Sequence, residues 1–206
     1  MIDNTLHFIL AGVFLGLSAG FSPGPLLTLV LTQTIKHNRT EGIKVAISPL
    51  ITDFPIILIA VLIFNRLSEF DLILAAISFA GGVYIAFLGI ESIRIKEFSI
   101  DLQDSKTASI KKGIIANFLN PSPYLFWATV GVPLIFKAFQ VNLLTSILFL
   151  ISFYVLLIGS KVMIAFIVAR TKVFMSQKIY VLVMRILGLV LLIFSLIFFY
   201  DGIKYL

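Results

Sequence analysis

The sequence predicts an all-α integral membrane protein: six transmembrane helices in a 3+3 inverted-topology repeat, with helices one and four broken. Three observations carry that prediction: an apolar composition, six apolar runs, and prolines and glycines that recur at a fixed offset. Of the 206 residues, 60% are hydrophobic and 13% charged, and the mean hydropathy is +1.10. A soluble domain carries about 25% charged residues, so a water-soluble globule is excluded. With about 20 apolar residues needed per bilayer crossing, this length accommodates about six helices and no separate soluble domain.

Span one, residues 6–34, has no Lys or Arg before it, and the first basic residue is Lys36. It therefore reads as a retained helix rather than a signal peptide. Ser22-Pro23-Gly24-Pro25 interrupts it, because proline removes a helical N–H and restricts the residue before it. Span two, 43–64, contains Asp53, and span three, 72–93, contains Gly89. A polar linker over 96–112, with Asp101, Asp104, Ser105 and Lys106, separates a first repeat at 1–95 from a second at 113–206. Span four, 113–136, is interrupted by Asn120-Pro121-Ser122-Pro123. Spans five and six, 143–169 and 179–200, carry Lys161 and Gly188.

The formal charge of +6 would suggest nucleic acid in a soluble protein, but here it sorts by membrane side. Connections one, three and five hold 11 of the 16 basic residues, among them Lys36, Arg39, Arg94, Lys111 and Arg170. The opposite side holds only Arg66, Lys137 and Lys204. Short loops rich in Lys and Arg stay in the cytoplasm, so both termini are expected outside.

The halves share a signature. Pro23 and Pro25 recur as Pro121 and Pro123 at an offset of 98, and Gly89 recurs as Gly188 at 99. A repeat of three helices has an odd count, so its second copy enters the membrane from the opposite side. Matched interruptions free backbone groups inside the membrane, which is how a solute site is built there. Candidate substrate-binding residues are accordingly Ser22, Pro23, Gly24 and Pro25 in span one, and Asn120, Pro121, Ser122 and Pro123 in span four.

Gly20-Phe21-Ser22-Pro23-Gly24 formally matches the nucleophile elbow of hydrolases. An elbow uses the N–H after its serine as an oxyanion donor, and Pro23 has none. The two histidines, His7 and His37, lie at opposite ends of span one, away from Ser22. No enzyme, no cofactor and no metal site is expected, and the absence of cysteine removes thiol chemistry.

Asp53 is the one carboxylate deep in a span, and Lys161 lies at a similar depth, about 12 to 15 Å in from the cytoplasmic ends at 1.5 Å per residue. Buried ionisable groups cost several kcal/mol unless paired or hydrated, which marks both as coupling candidates. Each also has a structural reading, Asp53 as a helix-binding acceptor and Lys161 as a snorkelling stem. Glu91 and Arg94 read as an interfacial i, i+3 pair, and Trp127 as ordinary packing in preference to the wall of a cavity.

These residues resemble the LysE/RhtB family of amino acid exporters over essentially the whole chain. The specific pieces are Ser22-Pro23-Gly24-Pro25, Asp53, Gly82-Val83-Tyr84 with Leu88-Gly89, and Gly113 through Asn117-Phe118-Leu119-Asn120-Pro121. The resemblance implies a prokaryotic inner-membrane exporter of amino acids or related small solutes, driven by the proton gradient. Similar members carry a lysine after the Asn-Pro pair, where this chain has Ser122, and Lys161 is placed to compensate.

The expected partners are a small-molecule substrate, a proton or Na⁺ as coupling ion, and the lipid bilayer. No nucleic acid is expected, and a bundle this small and rich in Phe can form a homodimer. The alternative within transport is a divalent cation exporter, which a single deep carboxylate serves poorly.

Overall fold

The computed structural model describes residues 2–22, 24–67, 71–94, 108–171 and 177–206. Every regular element among them is helical. Helix α1 (Ile2–Phe21) is 20 residues long, about 30 Å at 1.5 Å per residue, which matches the hydrocarbon thickness of a bilayer. It stops ahead of the proline pair, and α2 (Pro25–Lys36) restarts with Pro25 at the position where a missing N–H costs nothing. The two helices meet at 60°.

Asn38 caps α3 (Arg39–Ala46) by accepting from the N–H groups of Thr40 and Glu41 at 2.9 and 3.2 Å. A tight turn at Ile47 and Ser48, held by Ser48 Oγ donating to the Val45 carbonyl at 2.8 Å, leads into α4 (Pro49–Leu67). Then follow α5 (Asp71–Arg94) and α6 (Ser109–Phe118). Asn120 caps α7 (Pro121–Phe126) through the Ser122 N–H at 3.1 Å. A π-helical turn over Trp127–Gly131 joins α7 to α8 (Val132–Val141), and α9 (Leu143–Thr171) and α10 (Gln177–Lys204) complete the bundle.

Three stretches are long and apolar enough to cross a membrane: Arg39–Phe64, Ser122–Val141 and Leu143–Arg170. The bent α1–α2 pair makes a fourth among the described residues. Their outward faces carry large apolar side chains such as Phe54, Leu62, Phe139 and Ile151, the surface expected against lipid. The chain is a multi-pass membrane protein.

Two helix pairs organise the bundle. Helices α1 and α9 run parallel: Thr5 shares a hydroxyl hydrogen bond with Thr145 at 2.9 Å, and Gly12 and Gly20 face Ser152 and Ser160. The offset is 140 residues throughout. A Cβ on Gly12 would stand 2.7 Å from the Phe149 carbonyl oxygen, so glycine is what lets the backbones approach this closely. Helices α5 and α10 run antiparallel, with Gly89 on Gly188, Ser195 Oγ donating to the Gly82 carbonyl at 2.9 Å, and Phe79 on Gly202. The core lies between the pairs, around Leu15, Ile85, Trp127, Phe149, Phe153, Leu157 and Leu191.

Candidate functional site

Both proline-marked breaks open onto one cavity of about 380 Å³. Ser22, Gly24 and Pro25 line it from the α1–α2 junction, and Asn120, Ser122 and Pro123 from the α6–α7 junction. Pro23 and the side chain of Pro121 lie outside the described residues. Gly24 is fully extended, and a side chain built there would meet nothing within 4 Å, so the cavity reaches its backbone directly. Asn120 uses its Oδ1 to cap α7, and Tyr84 donates to the Ser122 carbonyl at 3.2 Å.

Asp53, in the first turns of α4, and Lys161, on α9, line the same cavity and are buried. They form no ion pair within 4.0 Å, and each has its own partners. Lys161 Nζ donates to the carbonyls of Ala19 and Gly20 at 2.8 and 2.9 Å. Those carbonyls belong to the last turn of α1, where the break leaves them without helical N–H donors. The ammonium thus caps α1 from a neighbouring helix and sits at the negative end of its dipole.

Asp53 is caged by neutral donors. Asn117 Nδ2 on α6 donates to Oδ1 at 3.0 Å, and Tyr154 OH on α9 donates to Oδ2 at 3.2 Å. The Trp127 indole also lies beside the carboxylate. Thr52 Oγ1 lies 3.4 Å from Oδ1, receives Asn117 Nδ2 at 2.6 Å and has the Ser48 carbonyl as a closer acceptor at 3.2 Å. Four helical elements therefore converge on one carboxylate.

Trp127 combines both roles open to it in the sequence, since it is buried in the core and lines the cavity. Asn117 stands in the sequence only as part of the family motif, and Tyr154 is not marked there as a site residue. Tyr154 had one available signal: it precedes Lys161 by seven residues, two turns along the same face of α9. The expected Glu91–Arg94 pair does not form; Glu91 instead lines the cavity mouth.

Beneath Asp53 the cavity floor is aromatic. Phe126 stacks on Phe153 with centroids 5.1 Å apart, Trp127 meets Phe153 edge-on at 5.3 Å, and Tyr154 stacks on Trp127 at 6.1 Å. This layer belongs to a packed cluster that extends to Phe8, Leu134 and Phe198. Those three residues line a second cavity of about 400 Å³ at the other end of α1, beside the Lys137–Asp201 ion pair at 2.6 Å.

A membrane-embedded helical bundle with a cavity between helix breaks, buried charges within it and a second cavity behind a barrier is the architecture of a solute transporter. The sequence profile of the LysE type translocator family matches residues 17–202, and the chain belongs to that family. It is a family of membrane exporters of small solutes rather than of enzymes. No curated protein and no solved structure matches the chain.

Proposed function

We propose that this protein is a secondary exporter that moves amino acids or related small polar solutes across the cytoplasmic membrane of a prokaryote. Export is coupled to the proton gradient through Asp53. The observation that carries the reading is the convergence of both helix breaks on one cavity that also holds a buried carboxylate and a buried ammonium, unpaired with each other. The solute binds at Ser22, Pro23, Gly24, Pro25, Asn120, Pro121, Ser122 and Pro123, with Lys161 fixing the end of α1 beside it. The six spans form a 3+3 inverted repeat with both termini outside, and the first cavity faces the cytoplasm. The contact between Gly89 and Gly188 supports this arrangement, because equivalent residues of an inverted repeat can touch only where they lie beside its pseudo-two-fold axis.

The test is counterflow in proteoliposomes preloaded in turn with each proteinogenic amino acid, followed by efflux against an imposed pH gradient. Exchange of at least one amino acid, accelerated by the gradient, is expected; silence across the series with folded protein sinks the reading. Topology is tested separately, since the chain has no native cysteine. Ser105→Cys, in the linker, should resist an impermeant thiol reagent added to intact cells, and labelling would reverse the orientation.

A further inference from the structure

We propose that Tyr154 is the residue through which the protonation state of Asp53 controls the barrier between the two cavities. Its hydroxyl donates to the carboxylate at 3.2 Å, and its ring stacks on Trp127, which lines the first cavity and packs with Phe126 and Phe153 in the aromatic layer. The same side chain therefore touches a proton-binding group and a barrier. The inference rests on the proposed proton coupling at Asp53.

The chemistry at the carboxylate is asymmetric. An ionised carboxylate only accepts hydrogen bonds, whereas a protonated one carries an O–H that must itself donate. When a proton from water converts the Asp53 carboxylate to the acid, one neighbour has to change from donor to acceptor. Asn117 and Thr52 meet Oδ1, whereas Oδ2 has the Tyr154 hydroxyl as its neighbour. A proton taken up at Oδ2 therefore turns Tyr154, because a phenol oxygen both donates and accepts. Its O–H then leaves Asp53 for another acceptor. When the proton returns to water, the contact is restored.

The movement has somewhere to act. Tyr154 stacks on Trp127, Trp127 meets Phe126 and Phe153 edge-on, and the cluster continues to Ala138 and Leu134 at the second cavity. Other titratable or charged groups near this path are Lys161 and Tyr84 around the first cavity, Glu91 at its mouth, and His7, Lys137, Asp201, Lys204 and Tyr205 around the second. Of these, His7 is the one imidazole and is replaced for the test.

The experiment needs no substrate. In a His7→Gln background, Ala138→Cys places a thiol inside the packed cluster, where the native residue is fully buried and a reagent reaches it only when the layer opens, and Gln140→Cys, at an exposed position on the same helix, serves as the reactivity control. Purified protein in detergent is labelled with a maleimide across the pH range in which it stays folded, and the Ala138→Cys rate is divided by the Gln140→Cys rate. The normalised rate is expected to vary with pH by about fivefold or more, as a shift in the population of open barrier would produce. Asp53→Asn and Tyr154→Phe should each flatten that dependence to less than about twofold, whereas a merely structural role would change the rate at every pH alike. A pH-independent parent overturns the proposal, as does a pH dependence that survives Tyr154→Phe. Counterflow can succeed or fail independently, so an error here is distinguishable from an error in the exporter reading.

Discussion

Gly131→Ala should disturb the aromatic layer beside Asp53 through a single methyl group. Gly131 sits one turn after Trp127 in the π-helical turn, and its Cβ would overlap the indole Cε3 and stand 2.6 Å from Cζ3. Carbon atoms pack at about 3.5 to 4.0 Å, so the ring has to retreat by roughly 1 Å. Trp127 is 1% exposed and is flanked by Phe126, Phe153 and Tyr154, so the retreat disturbs that layer. Overpacking of this kind costs about 1 to 3 kcal/mol. Replacing a helical glycine returns up to about 1 kcal/mol, leaving a net loss of roughly 1 to 2 kcal/mol. By the usual scaling for chains of this size, Tm should fall by about 2 to 8 °C. Trp127 is the only tryptophan, so its emission reports on its own surroundings during thermal unfolding in detergent. The variant should show a shifted native emission and the lower Tm, and Trp127→Phe/Gly131→Ala should recover part of the loss by shrinking the ring. Unchanged emission and Tm in Gly131→Ala would refute the packing argument.

Gly16→Ala would drive a methyl into the Phe153 carbonyl, which is backbone and cannot move aside, so the yield of monodisperse protein on size exclusion should collapse. Gly159→Ala has open space around it and should leave Tm unchanged or raise it slightly, by up to about 1 kcal/mol of stability. Lys161→Met uncovers the Ala19 and Gly20 carbonyls and should cost about 2 to 5 kcal/mol, read as a large drop in Tm. The companion Lys161→Arg, which keeps donors at that end of α1, should lose less. Asp201→Asn breaks a partly exposed pair with Lys137 and should change stability by no more than about 1 kcal/mol, with the exchanged pair Lys137→Asp/Asp201→Lys close to the native Tm.

The helix breaks were legible because proline acts locally: Pro25 can only begin a helix, and Asn120 followed by Pro121 is a cap followed by a first position. The turn between α3 and α4 was not, since residues 43–64 form one apolar run and Ser48 closes the turn by a hydroxyl bond that hydropathy does not register. Asp53 stood out as a lone carboxylate in an apolar span. Its donors did not, because Asn117 and Tyr154 lie 64 and 101 residues away and meet it only through helix packing. The seam on α1 is an intermediate case. Gly12, Gly16 and Gly20 at intervals of four are the small-residue spacing of a membrane helix interface, yet nothing in that spacing identifies α9 as the partner.

The parallel seam between α1 and α9 also sets a timetable. Its contacts join residues 140 positions apart, Thr5 with Thr145 at one end and Gly20 with Ser160 at the other. At about 5 to 20 residues per second, synthesis reaches α9 roughly 7 to 28 s after the matching part of α1 has been made. Throughout that interval the glycine face of α1 has only lipid, or earlier helices, against it. Lys161 has not yet been added, so the carbonyls of Ala19 and Gly20 wait for their cap as well. Maturation of the first cavity is therefore a late event in biogenesis, and a ribosome that stalls before α9 leaves a membrane-inserted chain that lacks Lys161 and the Tyr154 hydroxyl that meets Asp53.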